Sequence, residues 1–383
     1  MRKIILFLSW RDIKSPKKGG AEVYTHEMLK RADKSEYEFI HFSPIFENCQ
    51  NDEIIDGVRY VRGGKGPFSV ILEAKKYYNM NEEYIDYVVD QCNTHRFFTK
   101  LWVPKEKRIF FIHQLTREIW DLNLSFPLNK IGKILETSFL KLSKDDPTIT
   151  VSKSTKDDLV KIGFNKQKIE ILPEGIDFPH WNWQQFLPKS KDPIFIYVGR
   201  FANYKGIDTA IRAFIKFKSR YSRSLLWIVG KKNEEYITNV IDKIIQYEAS
   251  DPIQTTIDII YHGFVTEERK LELMSKAHAL IFPSIREGWG LVITEAAAVG
   301  TPSIGFNSPG IRDALDYGEA GYLCKENTVE EIYENMCRVY ENPNEYREIR
   351  KAAYEYSLNF HWDNTGKAFN QFLKNLKEKK YDF

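Results

Sequence analysis

Glu287-Gly-Trp-Gly-Leu-Val-Ile-Thr-Glu295, continuing as Ala-Ala-Ala-Val-Gly-Thr-Pro-Ser-Ile-Gly305, sets two carboxylates around the start of a short helix. Gly288 and Gly290 leave the backbone of the turn open, residues 291–299 have the composition of a buried helix, and Gly300 with Pro302 supplies the stop. Unpaired N–H groups at such a helix start, together with the helix dipole, attract an anion, and phosphate is the natural guest. Glu295, one turn further in, is suited to accept hydrogen bonds from vicinal hydroxyls. Phosphate and hydroxyls on one ligand indicate a nucleotide, and Glu287 at the mouth indicates a second polyol beyond it. A plain strand–turn–helix unit with surface carboxylates would use the same residues, so the surrounding chain has to agree.

Other residues fit the same chemistry. Val198-Gly-Arg200 closes an apolar run and Asn203-Tyr-Lys-Gly206 follows, which places Arg200 and Lys205 where two cations could clamp a diphosphate and stabilise charge on a departing phosphate. Isolated, they would be solvated surface charges. Gly19 and Gly20, in Lys17-Lys-Gly-Gly-Ala-Glu22, could let backbone approach a phosphate or could simply make a flexible turn. Neither the P-loop pattern nor the dinucleotide fingerprint occurs, and Gly63-Gly-Lys-Gly66 reads as a plain turn. His113 directly follows an apolar run; there it is either structural, or it donates to a sugar hydroxyl or stabilises positive charge developing on a ring. No histidine has metal-ligand spacing and no Asp-x-Asp occurs, so no metal site is expected.

These residues need strand ends and helix starts to hold them. Short apolar runs at 4–8, 39–42, 58–61, 84–89, 108–112 and 148–151, then at 194–198, 225–229, 256–261, 279–282 and 302–305, read as strands buried on both faces. Amphipathic stretches at 21–31, 154–162, 207–219, 267–275 and 328–340 read as the helices between them. Such alternation predicts an α/β chain of two doubly wound, parallel-sheet, Rossmann-like domains facing each other across a cleft. A length of 383 residues agrees with two domains. The Pro- and turn-rich stretch 173–193 is the expected linker, dividing a first domain (1–178) from a second (190–362).

The composition excludes several classes. A net charge of +3 gives no general case for a nucleic-acid partner. Cys49, Cys92, Cys324 and Cys337 are scattered without metal spacing, which fits a reducing compartment, and the chain is read as cytoplasmic. The apolar run after Met1 is too short for a signal peptide and reads as a first strand, and no run is long enough to span a bilayer.

In this order, Gly19-Gly20, His113, Arg200 with Lys205, and Glu287 with Glu295 resemble the retaining group 1 glycosyltransferases of the GT-B fold, glycosyltransferase family four. Ile149-Thr-Val-Ser-Lys-Ser-Thr155, Pro173-Glu-Gly-Ile-Asp177, Tyr261-His-Gly-Phe-Val265, Ala279-Leu-Ile-Phe-Pro-Ser284, Gly318-Glu-Ala-Gly321 and Phe360-His-Trp362 extend the likeness over nearly the full length. The resemblance implies a nucleotide-sugar donor in the second domain. Glu295 would take the ribose, backbone near Val265 the base, and Arg200, Lys205 and the amides of residues 288–291 the diphosphate. Glu287 and His113 would face the donor sugar, the Gly19-Gly20 loop would close over the phosphates, and a last helix within 363–383 would return to the first domain. No cofactor or metal is implied, and no dedicated general base: the departing phosphate oxygen takes the acceptor's proton. Lys231-Lys232 and Glu174 depart from the family pattern, which bears on the identity of the donor.

The acceptor side carries a second expectation. Residues 129–144 form a basic amphipathic helix with Leu128, Ile131, Leu135, Phe139 and Leu142 on one stripe and Lys130, Lys133, Lys141 and Lys144 elsewhere. The simpler expectation is a helix packed on its own sheet. The alternative is peripheral contact with an anionic membrane at its inner face, serving a lipid-linked or cell-surface glycan acceptor. Rival activities on the same fold are a nucleotide-sugar epimerase or hydrolase and a non-catalytic nucleotide-sugar-binding protein.

Overall fold

The computed structural model describes residues 2–92 and 95–378, so the end of the expected last segment, 379–383, lies outside the described residues. The chain divides into two compact units: residues 1–115, 130–175 and 361–383, and residues 116–129 and 176–360.

The first unit is built on eight strands, β1 (Lys3–Leu8), β2 (Tyr37–Ser43), β3 (Asp52–Ile55), β4 (Val58–Arg62), β5 (Ile85–Cys92), β6 (Arg108–Ile112), β7 (Thr148–Thr150) and β8 (Ile169–Ile171). They lie in the order β3-β4-β2-β1-β5-β6-β7-β8, parallel except for the β3–β4 hairpin. β1 shows why so apolar a run is required: Ile5 and Phe7 enter the core on one face, Leu6 and Leu8 the core on the other. The chain winds outward from β1 to β2 and β4, then crosses to β5, so the order reverses between β1 and β5. In open α/β sheets a ligand crevice forms beyond the carboxyl ends of the strands at such a reversal.

The last helix, Trp362–Lys377, belongs to this unit and buries Trp362, Phe369, Phe372, Leu373 and Leu376 against it. Thr365 Oγ1 donates to the Pro173 carbonyl at 2.7 Å, and Tyr24 packs edge-on against Trp362 while its hydroxyl donates to Leu172 O at 2.7 Å. Gly175 is needed here, because a Cβ would stand 2.4 Å from the Trp362 nitrogen.

The second unit holds six parallel strands, β9 (Ile194–Val198), β10 (Leu225–Val229), β11 (Ile259–Gly263), β12 (Ala279–Phe282), β13 (Ser303–Gly305) and β14 (Tyr322–Leu323), ordered β11-β10-β9-β12-β13-β14. Here the reversal falls between β9 and β12. Phe195 and Tyr197 face one core, Ile194, Ile196 and Val198 the other.

Three expectations are corrected. The strand expected at 256–261 starts only at Ile259; a helix, Pro252–Asp258, precedes it, because Asp251 caps the Gln254 amide (3.0 Å) and Pro252 takes the first helical position. Segment 116–129, inside the expected first domain, clusters with the second unit, where Glu118 pairs at 2.6 Å with the buried Arg286 guanidinium. The basic helix spans Leu128–Leu140 and continues as a 3-10 turn, but it is not packed by its apolar stripe. Only Gly132 and Leu140 are buried, while Ile131 (46%), Ile134 (65%), Leu135 (47%) and Phe139 (43%) stay exposed. The apolar stripe is thus left on the surface rather than in a core.

Candidate functional site

Within the second unit, the loops after β9 and β12 flank the sheet reversal and are tied together. Ile285 N donates to Tyr204 O at 2.9 Å, and the Ser284 hydroxyl reaches both Tyr204 O (3.1 Å) and Glu287 Oε1 (2.7 Å). Lys205 Nζ lies 2.5 Å from the same Glu287 oxygen, and both side chains are 14% exposed. Two opposite charges that the sequence places 82 positions apart therefore form one half-buried pair. Gly206 makes this approach feasible: its φ is +69°, and a Cβ there would stand 2.3 Å from Pro283 O.

Glu287 is held from behind as well. Its N–H donates to Pro309 O at 3.1 Å, and Gly310 (φ +81°) fits so closely that a Cβ would lie 2.3 Å from Glu287 O. Arg200 is exposed, its guanidinium donating to the Tyr204 hydroxyl at 3.0 Å, while the Tyr197 hydroxyl donates to Arg200 O at 3.2 Å and braces the loop from the core.

The helix Leu291–Ala298 starts from Gly290 in the left-handed region (φ +98°). Among the described residues, the N–H groups of Gly288, Trp289, Gly290 and Leu291 have no hydrogen-bond partner, leaving a row of donors at a positive helix end. The Trp289 side chain is not part of that row: it is buried against Phe360, with its indole N–H donating to Thr294 Oγ1 at 2.9 Å. Only its backbone can serve a ligand.

Glu295 is 8% exposed, and burial raises its carboxyl pKa against the opposing pull of Lys270. Its Oε2 lies 2.8 Å from Lys270 Nζ, a close ion pair in which the ammonium faces the carboxylate at hydrogen-bond distance. For Lys270, burial disfavours the charge, but Glu295 and Glu267 outweigh it and its pKa is raised. Val265 is half-buried just after β11, beside Phe264, which is 89% exposed.

Three expected residues lie in the first unit. Gly19 N–H donates to Glu22 Oε2 at 2.6 Å, and Arg11 pairs with the other Glu22 oxygen at 3.2 Å. Neither Gly19 nor Gly20 has a positive φ, and a Cβ on Gly20 would meet nothing within 4 Å, so the protein's own packing does not demand glycine there. His113 is buried, edge-on to Tyr24 and tilted against Phe111, and burial pushes its pKa down to about 3, so it is neutral at working pH. A polar network borders the ring as well. The Gln91 amide nitrogen donates to Thr25 Oγ1 (2.7 Å), whose own proton goes to Ala21 O (2.9 Å); the same nitrogen faces His113 Nε2 at 3.3 Å.

Sequence reasoning did not single out Lys270, Gly310 or Gln91 and their partnerships. Ser284 was visible only as the end of a supporting motif, and nothing local marks a lysine on another helix as the partner of Glu295.

The chain is similar to known proteins over both of its halves. The family description "Glycosyltransferase Family 4" matches residues 18–178, and "Glycosyl transferases group 1" matches residues 180–356. The chain is 27% identical to a glycogen synthase of Mycobacterium tuberculosis over 230 residues, covering 60% of this chain and 54% of that one. It is 28% identical to the O-antigen chain mannosyltransferase RfbU of Salmonella typhimurium, over 50% of this chain and 52% of that one. The chain thus spans about half the length of these curated relatives. Its fold matches sucrose-phosphate synthase from Thermosynechococcus elongatus (TM-score 0.75, 18% identity, 98% of this chain and 100% of that one). It also matches Anabaena HepE in complex with UDP-glucose (TM-score 0.71, 14% identity, 98% and 99%). With both halves matched in turn and two parallel-sheet α/β units, the chain belongs to the group 1 glycosyltransferases and has the GT-B fold.

Proposed function

We propose that this protein is a retaining glycosyltransferase that moves a sugar, a hexose in the simplest case, from a nucleoside diphosphate sugar to a glycan acceptor. The observation that carries the proposal is the Lys205–Glu287 pair standing directly before the unpaired amides of residues 288–291, with the Glu295 carboxylate one turn beyond. In this reading Glu295 accepts from the ribose hydroxyls and backbone near Val265 meets the base. Arg200, Lys205 and the four amides hold the diphosphate, and the Gly19-Gly20 loop covers it. Glu287 faces the donor sugar, and neutral His113 donates a hydrogen bond to a sugar hydroxyl. The anomeric carbon–oxygen bond to phosphate breaks as the acceptor oxygen bonds to the same face, and the acceptor's proton passes to the departing phosphate oxygen. Lys205 and Arg200 offset the charge growing there, so no metal is required.

A thermal-shift screen against UDP, GDP and ADP and their sugar conjugates, with and without magnesium, tests the donor. One nucleotide family should stabilise the protein without magnesium, by about 2.7 kcal/mol at a hundredfold excess over Kd. No shift from any of them overturns the proposal. Product analysis without acceptor separates it from an epimerase or hydrolase.

The acceptor is proposed to be lipid-linked or at the cell surface, reached through peripheral contact with the inner membrane face. The outward apolar stripe of Ile131, Ile134, Leu135 and Phe139, with exposed Lys141 and Lys144 following, supports this. Among the described residues no helix is long and apolar enough to cross a membrane. Anionic liposomes at low salt should sediment the protein, and Ile134→Ser/Phe139→Ser should release it; equal sedimentation of both forms counts against the contact.

A further inference from the structure

The first unit has its own cavity at the place where the second unit carries its site. It holds about 380 Å³ and is formed by the segments that follow β1, β2, β4 and β5, beyond the carboxyl ends of the strands that flank the sheet reversal. That volume lies within the ~300–1,000 Å³ typical of small-molecule sites. Trp10 follows β1 and His95 follows β5, and their rings meet edge-on at 4.7 Å across the reversal.

The lining has a definite chemistry. Arg11, Lys17 and Lys65 line it together with Trp10, Phe46 and His95, and among the described residues no Asp or Glu does. Arg11 is already engaged, its Nε paired with Glu22 and a terminal nitrogen donating to Lys17 O at 3.0 Å, so it stiffens the loop. Lys17 and Lys65 differ: among the described residues neither ammonium has an ion-pair or hydrogen-bond partner. The Trp10 indole nitrogen is also buried and without a partner. A helix of 15 residues, Pro67–Asn81, begins at the cavity wall and adds the positive end of its dipole. An aromatic floor suits the C–H face of a pyranose, while two free ammoniums suit an anion carried by that ring.

We infer that this cavity is a subsite for an acceptor saccharide bearing a phosphate or carboxylate, gripped by Lys17 and Lys65. A neutral sugar would leave both lysines unused, whereas an anionic one gains charge-assisted hydrogen bonds at each. The inference rests on the transferase reading above and narrows it from any glycan to an anionic one.

Calorimetric titration with glucose, glucose 6-phosphate, glucuronate, inorganic phosphate and a panel of other monosaccharide phosphates and uronates tests it on the full chain. At least one phosphosugar or uronate should bind at least tenfold more tightly than its neutral parent. Preference for phosphosugars over uronates names phosphate as the recognised group, and the reverse names carboxylate. The Lys17→Ala/Lys65→Ala variant should lose at least tenfold in that affinity while its stabilisation by nucleotide is unchanged. Both lysines are exposed, so the variant keeps its fold. Equal affinity of the variant, preference for neutral sugars, or binding of no anionic sugar overturns the inference. If nucleotide still stabilises the protein in that case, only the subsite fails; if nucleotide does not, the transferase reading fails first.

Discussion

Lys205→Ala and Glu287→Ala are each expected to lower turnover by at least ~100-fold, the scale of removing one preorganised charge-stabilising group. The structure sharpens what such losses mean, because the two side chains form one pair. Removing Lys205 strips a cation from the proposed leaving phosphate and also leaves the Glu287 carboxylate with Ser284 alone. Removing Glu287 frees the ammonium instead. A purely structural pair would cost about 1.5–3 kcal/mol, the range for hydrogen bonds to charged groups, and would show as a lower melting temperature with turnover per folded molecule preserved. The catalytic assignment requires the opposite: turnover collapses in protein that still melts cooperatively and still binds nucleotide. Lys205→Arg is informative because it keeps the charge but replaces a compact ammonium with a planar fork beside Glu287, so partial activity is expected. Near-normal turnover by both alanine variants would sink the assignment.

Much of this site was legible because its parts lie at the ends of strands buried on both faces. The runs 108–112, 194–198, 225–229 and 279–282 coincide with β6, β9, β10 and β12, since a continuous apolar run that short has few other places to go. Their ends located Arg200 and the loop leading to Glu287 in the second unit and, separately, His113 in the first. The helix start at Gly290 and its stop at Gly300 followed from glycine and proline chemistry, and both glycines do take positive φ. What stayed hidden depends on partners distant in the chain. Lys270 meets Glu295 from another helix, Glu118 meets Arg286 across 168 positions, and no local pattern encodes either. The helix Leu128–Leu140 shows the reverse limit: its apolar stripe is plain in the sequence, but periodicity does not say which surface the stripe faces. Likewise Trp289 sits among the proposed donor-binding residues, yet its ring is committed to the core by Phe360, more than 70 positions away in sequence as counted from the two residue numbers.

Gly310→Ala should cost nearly as much activity as Glu287→Ala, although Gly310 carries no chemistry. Its φ of +81° alone penalises a Cβ by roughly 1–2 kcal/mol. The larger effect is steric: the new carbon would sit 2.3 Å from Glu287 O and 2.7 Å from Glu287 C, so backbone must move. The atoms displaced are those that aim Glu287 at Lys205, and a misplacement of about 1 Å can cost 10²-fold. The expected result is a fall in kcat of about 100-fold with nucleotide binding through Glu295 largely kept, read by steady-state kinetics beside nucleotide-induced stabilisation. Gly20→Ala is the matching control. A Cβ there meets no protein atom within 4 Å, and Gly20 opens the helix Gly20–Lys30, where alanine should stabilise by about 0.4–1 kcal/mol. If the Gly19-Gly20 loop closes on donor phosphates, Gly20→Ala yields a more stable enzyme with a higher donor KM. If the loop is only a turn, stability rises and the kinetics do not change, and the donor contacts then belong to the second unit alone.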